Sequence, residues 1–325
     1  MKKFLKMDLI EKKLTEIRGE KNLSFQNLVS AKQISEKDFN LIFKIATEFK
    51  KNPTAKLQLL KNETIFGAFF ENSTRTKSSF ELAAKKLGAD FINVSGDSSS
   101  IKKGETILDS LQTLSAYQPA AIVLRTEFSG APVQYYKKIS PSLINAGDGC
   151  HEHPSQSLID AFSLCEHFQS KDLKNKKILI VGDILHSRVA GSLLRLAPKL
   201  GATIRLCAPA TLLDENFAKV FGAEISHDLD SAIKNVDAVY NIRVQRERGS
   251  GVFISSLREY SQNYCVNSAR FSRAAKNAAL LDAGPVIRDL GIANELVEHP
   301  RSLISKQVEN GLAIRKTLLW LLCTK

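Results

Sequence analysis

No apolar run in this 325-residue chain approaches the roughly 20 residues that a membrane-spanning helix requires, so no membrane association is expected. The opening MKKFLKMDLIEKK is interrupted by Asp8 and Glu11 before an apolar stretch can develop, and no secretory signal is read from it. Cysteine is sparse: Cys150, Cys165, Cys207, Cys265 and Cys323 are odd in number and scattered, with no CxxC spacing for zinc or redox work. Reduced thiols and a cytoplasmic location are expected. The chain has no low-complexity segment and no short repeat, and it lacks a dinucleotide fingerprint, because the loop VGDILHSRVAGS carries only Gly182 before Gly191. A bound nucleotide cofactor or metal is not expected. Acidic residues are also in deficit, 34 against 46 basic ones, for a net charge of +12. That excess suits a nucleic-acid binder or an enzyme of anionic substrates equally well. The lysines fall in KK and KNKK clusters without interleaved aromatics or a recognition-helix pattern, so no nucleic-acid partner is read.

What is present is the size and rhythm of a two-domain α/β protein, each domain a mainly parallel sheet flanked by helices. Strand-length apolar runs at Thr64 to Phe70, Phe91 to Val94, Ala121 to Leu124 and Leu143 to Asn145 alternate with helical spacing, for example Phe80, Ala83, Ala84 and Leu87 closed by Gly88. The second half repeats the pattern: a strand at Ile178 to Val181, a helix starting near Ser187, and a strand at Thr203 to Ala208. A helix around Asn216 to Phe221 and a strand at Ala238 to Ile242 follow. The expected domains are 1-153 and 154-304, with a helical connection near His153 to Phe168. A C-terminal helix over 305-325 is expected to pack back on the first domain.

Four clusters carry chemistry. In FFENSTRTKSSFE, Ser73, Thr74, Arg75 and Thr76 lie between a strand end and a helix start, where free backbone N–H groups, hydroxyls and a planar guanidinium suit a phosphate. The plain alternative is helix capping beside a surface arginine. In NAGDGCHEHPSQSLIDAF, His153 can polarise a carbonyl oxygen or exchange a proton, and Gln156 can both donate to and accept from an amide; the plain alternative for His153 is a structural hydrogen bond, and His151 is read as structural. Arg188 opens a helix against the helix dipole, a placement that an anionic ligand explains more easily than helix stability does; the plain alternative is a solvated arginine. In NIRVQRERG, Arg243 and Gln245 fall on one face of an extended strand end.

These segments occur in the order found in carbamoyltransferases. Ser73-Thr74-Arg75-Thr76, His153-Pro154-Ser155-Gln156, Gly182-Asp183 with Ser187-Arg188-Val189-Ala190, and Arg243-Val244-Gln245 resemble that family from about Phe25 to Leu322. A KKGET segment at Lys102 to Thr106 and an NG-x-A-x-R helix at Asn310 to Arg315 resemble its aspartate branch. One segment departs: where the family has His-Pro, this chain has Asp282-Ala283 before Gly284-Pro285, and an added acid is expected to weaken the hold on a dianion.

The resemblance implies transfer of a carbamoyl group from carbamoyl phosphate to L-aspartate, giving N-carbamoyl-L-aspartate and phosphate, an early step of de novo pyrimidine biosynthesis. It implies that domain 1-153 binds carbamoyl phosphate and domain 154-304 binds aspartate. Ser73, Thr74, Arg75 and Thr76 would hold the phosphate, with Arg125 bridging phosphate and carbonyl oxygen. Thr76, Arg125 and His153 would polarise that oxygen, and Gln156 with the backbone carbonyls at Gly284 and Pro285 would take the carbamoyl NH2. Arg188, Arg243 and Gln245 would bind the carboxylates of aspartate, and closure of the domains would join the two half-sites. Ser99 and Lys103 resemble the loop that reaches a neighbouring subunit's site, which implies a homotrimer; no cofactor is implied. Whether regulatory or dihydroorotase chains also bind is left open. The alternatives are an ornithine or other carbamoyltransferase and a catalytically silent assembly paralogue. Three carboxylate-binding groups and the absence of Cys-Leu-Pro at 282-285 favour aspartate over a diamine, and the set Arg75, Lys103, Arg125, His153 and Arg243 favours an active enzyme. The charge pattern predicts no mobility shift of single- or double-stranded DNA at moderate salt; a salt-dependent shift would reopen the nucleic-acid reading.

Overall fold

A computed structural model describes residues 2–95, 104–245 and 253–324. The chain divides into two compact units, Met1–Leu158 with Glu309–Lys325, and Ile159–Val308. In the first unit, β1 (Thr64–Phe69), β2 (Asp90–Ser95), β3 (Ala121–Thr126) and β4 (Ser142–Asp148) pair in the order β2-β1-β3-β4. In the second, β5 (Lys177–Gly182), β6 (Thr203–Cys207), β7 (Glu224–Ser226), β8 (Ala238–Ile242) and β9 (Ala279–Asp282) pair in the order β7-β6-β5-β8-β9. Every pairing within these sheets is parallel.

Parallel strands need crossovers, and helices supply them: α3 (Thr74–Leu87) runs between β1 and β2, and α4 (Ile107–Ala116) between β2 and β3. Two helices precede the sheet, α1 (Lys2–Arg18) and α2 (Glu36–Lys51), while α5 (Ala131–Tyr135) follows β3. Helices cover a parallel sheet on both faces, so its central strands read as apolar runs, as in AIVL of β3 and ILIV of β5. One cluster of the first unit packs Phe66 and Ala68 of β1, Ile122 and Leu124 of β3 and Leu143 of β4 against Ile107, Leu111 and Leu114 of α4.

The strands expected from sequence form within one to three residues of their expected ends. The helix expected at Asn216 to Phe221 spans Glu215–Val220. Strands β7 and β9 were not anticipated, because runs of three or four residues carry too little periodicity to separate strand from helix. The C-terminal helix spans Ile304–Cys323, and its residues from Glu309 onward belong to the first unit. The connection expected to be helical is α6 (Pro154–His167), and α7 (Arg188–Leu196) begins at the expected place, with Ser187 as its N-cap.

Lys316 of the C-terminal helix is fully buried, its ammonium 3.4 Å from the Phe49 carbonyl oxygen and 4.8 Å from the Phe49 ring centroid. Burial, with a smaller contribution from Lys86, lowers its pKa to about 8 from 10.5. The folded state thus holds fewer protons at this site than the unfolded state between about pH 8 and 10.5, so its stability rises with pH across that window. Below it the native state carries a penalty of about 3 kcal/mol. Lys316→Met is expected to raise the melting temperature at pH 7 and to raise it less at pH 10; an equal gain at both pH values would show that the charge is not the cause.

Candidate active site

In an open parallel sheet, the strand order reverses at one gap, and ligands bind beyond the carboxyl ends of the strands that flank it. The first sheet reverses between β1 and β3, the second between β5 and β8. The described candidate residues of each unit lie at or just beyond the carboxyl ends of its strands.

In the first unit, the chain leaves β1 at Phe69 and enters α3 at Thr74, with Ser73 as N-cap in extended conformation. Ser73 makes no side-chain capping bond, whereas the N-caps Ser35, Thr106 and Ser187 each accept from a backbone N–H of the first helical turn. The capping explanation for this hydroxyl therefore fails, and the first turn of α3 presents N–H groups beside the exposed Arg75. Thr76 is buried. Arg125 pairs in register with Phe69; its Nη1 donates to the Ala146 carbonyl at 3.1 Å and its Nη2 lies 3.5 Å from Glu71 Oε1. Glu71 was not singled out from sequence, although it stands two residues before Ser73.

Beyond β4, His153 and Gln156 are both buried at the start of α6, where the His153 carbonyl accepts from the Gln156 N–H at 2.9 Å. Ser155 Oγ lies 3.4 Å from His153 Nδ1. His151 sits between two buried carboxylates, 3.0 Å from Asp148 Oδ2 and 3.6 Å from Glu152 Oε1. Asp148 further accepts from the N–H groups of Gly130 and Glu152 and from Asn145 Nδ2. The structural reading of His151 fits this setting.

In the second unit, Gly182 ends β5 at φ +126°, and an added Cβ would stand 1.9 Å from the Ile242 carbonyl oxygen of β8. Only glycine lets the two strand ends approach this closely. The next residue, Asp183, is fully buried and accepts from the Gln245 N–H at 2.9 Å, with His186 Nδ1 at 2.8 Å. Arg188 is buried at the first position of α7. Arg243 and Gln245 do not share a strand face as expected: β8 stops at Ile242, its last partner across β5, and both lie in the segment beyond, where Gln245 Nε2 donates to the Arg243 carbonyl at 3.2 Å. Burial, then the nearby Asp183 charge, pushes the Tyr260 phenol above its ordinary value, so it stays neutral beside this loop.

Asp282 is buried at the end of β9, and Gly284 follows at φ +70° with Pro285 exposed after it. The acid expected to face a bound dianion is directed at backbone and amide donors, Gly284 N–H and Asn241 Nδ2. In the first unit, Arg315 of the NG-x-A-x-R segment hydrogen-bonds Ser79 Oγ and stacks over the Phe80 ring of α3 at 5.1 Å, tying the C-terminal helix to the helix that carries Arg75. Ser99 and Lys103 lie outside the described residues. Among the described residues no cluster of three His, Cys, Asp or Glu side chains is placed to hold a metal ion, and none of the five cysteines forms a disulfide.

Comparison with known proteins matches residues 26–166 to the model of the aspartate/ornithine carbamoyltransferase carbamoyl-P binding domain and residues 174–322 to that of its Asp/Orn binding domain. The aspartate carbamoyltransferase catalytic subunit of Flavobacterium psychrophilum is 41% identical over 94% of this chain and 99% of its own. That of Myxococcus xanthus is 44% identical over 80% and 87%. Among solved structures, aspartate transcarbamoylase from Trypanosoma cruzi in complex with carbamoyl phosphate superposes with a TM-score of 0.81 at 27% identity, over 92% of this chain and 96% of that one. Ornithine carbamoyltransferase from Thermus thermophilus gives 0.80 at 24% identity, over 92% and 99%, a likeness of fold alone.

Since the Ser73 hydroxyl does not cap α3, Ser73→Ala should leave stability unchanged, whereas Ser35→Ala should cost about 1 kcal/mol. Denaturant titration of both variants checks the contrast, and equal losses would return Ser73 to a capping role.

Proposed function

We infer that this chain, which belongs to the aspartate/ornithine carbamoyltransferase family, transfers the carbamoyl group of carbamoyl phosphate to the amino group of L-aspartate, an early step of pyrimidine biosynthesis. The observation that carries the reading is its end-to-end likeness, at 41% identity, to proteins named aspartate carbamoyltransferase catalytic subunit. In this reading the first unit binds carbamoyl phosphate and the second binds aspartate.

The phosphate rests on the first turn of α3 against Ser73, Thr74, Arg75 and Thr76. Arg125 spans phosphate and carbonyl oxygen, and with Thr76 and His153 it stabilises the charge that develops on that oxygen as the amine attacks. A preorganised donor at such a position is worth about 3 kcal/mol. The aspartate nitrogen bonds to the carbamoyl carbon, the bond from that carbon to the phosphate oxygen breaks, and the departing phosphate takes the amine proton, so no strong protein base is required. Gln156 and the carbonyls at Gly284 and Pro285 hold the carbamoyl NH2. Arg188, Arg243 and Gln245 bind the two carboxylates, for which a planar guanidinium is better shaped than an ammonium. Lys103 and Ser99 complete the site from the next subunit of a homotrimer, and the enzyme works in the cytoplasm. Support for these assignments comes from the uncapped turn at Ser73, the Arg125 position beside it, and the buried Asp183 that fixes the Gln245 backbone.

Assays with aspartate, ornithine and putrescine in parallel should give turnover with aspartate alone; preference for a diamine would overturn the substrate. Arg243→Ala should lose aspartate use while phosphate inhibition changes little, and near-normal aspartate kinetics would remove Arg243 from the site. Mixed Lys103→Ala and His153→Ala chains, each inactive alone, should regain activity after subunit exchange. No recovery would mean that Lys103 serves its own chain or none.

A further inference from the structure

We propose that Asp282 is a positioning residue for the Gly284–Pro285 backbone, with Asn241 as its partner; the proposal rests on the reading that this backbone takes the carbamoyl NH2. Asp282 is the last residue of β9 and lies opposite Asn241 of β8 in the parallel register. Both side chains are buried. One carboxylate oxygen accepts from Asn241 Nδ2 at 2.7 Å and the other from the Gly284 N–H at 2.5 Å. The Gly284 N–H lies two residues beyond the strand and so falls outside the sheet ladder; the carboxylate supplies an acceptor there. Its bond fixes the plane of the Ala283–Gly284 peptide, and Gly284 turns at φ +70°, where other residues are strained. Pro285 carries no N–H, so the backbone from Gly284 to Pro285 offers the ligand acceptors and no competing donor at the second residue. An acceptor pair of this kind matches an amide NH2.

The clamp is anchored from behind. The Asp282 N–H donates to Gln307 Oε1 at 3.1 Å, Gln307 Nε2 donates to Asp160 Oδ1 at 2.8 Å, and the Tyr240 hydroxyl donates to Asp160 Oδ2 at 3.0 Å. A Cβ at Gly291 would stand 2.5 Å from Oδ1 and 2.8 Å from Nδ2 of Asn241, so the bare glycine leaves room for the amide beside Asp282. The acid that replaces the family's histidine is therefore part of a paired arrangement with Asn241, and its charge is spent on holding the loop.

The pairing dictates its own test. In Asp282→Ala both acceptors are lost, and Asn241 Nδ2 and the Gly284 N–H lose the bonds that hold the loop. In Asp282→Asn the new side-chain oxygen can still accept from the Gly284 N–H while the Asn241 amide turns its Oδ1 toward the new Nδ2, so both hydrogen bonds can form without the charge. With the wild-type chain transferring carbamoyl groups to aspartate, Asp282→Ala is expected to lower kcat at least tenfold and to raise the KM for carbamoyl phosphate several-fold. The inhibition constant of inorganic phosphate, held in the first unit, should stay within twofold, and Asp282→Asn should recover most of the loss. Should Asp282→Ala fail to fold, Asn241→Ala reads the same split. Kinetic constants within twofold of wild type would overturn the proposal. So would a lower melting temperature with unchanged constants per folded chain, or a phosphate inhibition constant that rises in step with the KM. A wild-type chain that does not carbamoylate aspartate would instead sink the reading on which the proposal rests.

Discussion

Parallel pairing is the constraint from which the site follows. All paired strands of each described sheet point the same way, so their carboxyl ends share one edge. The strand order then reverses between β1 and β3 and between β5 and β8, where neighbouring connections leave in opposite directions. Ser73 to Thr76 and Arg125 emerge at the first reversal, Asp183 to Arg188 and Arg243 to Gln245 at the second. Residues more than a hundred positions apart in sequence, such as Arg125 and Arg243, occupy equivalent places in two sheets built on one rule.

That edge creates a hydrogen-bonding problem. Beyond the last ladder bond, backbone N–H groups lose their strand acceptors, and leaving them buried and unmade is costly. Three buried aspartates answer it at three strand ends: Asp148 at the end of β4 accepts from Gly130 and Glu152, Asp183 after β5 from Gln245, and Asp282 at the end of β9 from Gly284. A carboxylate is a stronger acceptor than a carbonyl and offers two oxygens, so one residue fixes more than one loop group. The substrates proposed here are anions, so carboxylates near them would repel; committing each to N–H donors allows acid and anion sites to share an edge.

Much of this was legible in the chain. Central strands in parallel sheets are buried on both faces, which leaves an apolar run, and AIVL of β3, ILIV of β5 and AVY of β8 declare themselves for that reason. The Ser73 cluster and the Ser187-Arg188 helix start were readable because helix starts are local events, governed by a few consecutive residues. The edge strands β7 and β9 were not, being too short for periodicity, and Arg243 and Gln245 were placed on a strand face that β8 does not reach, because alternation continues past Ile242, where pairing stops.

The fold class, the order of the longer elements and the family were written in the chain, since these depend on periodicity and on short motifs whose residues are neighbours in it. Tertiary structure alone decided which polar side chains serve the scaffold. Nothing local says that Ser73 leaves its helix uncapped while Ser35 caps its own, that Arg315 holds α3, or that Asp282 faces Asn241 rather than a ligand. Each of these is a contact or a missing contact between groups whose distance is set by sheet register and helix packing. Asn241 and Asp282, 41 positions apart in the chain, close to 2.7 Å only when β8 and β9 pair.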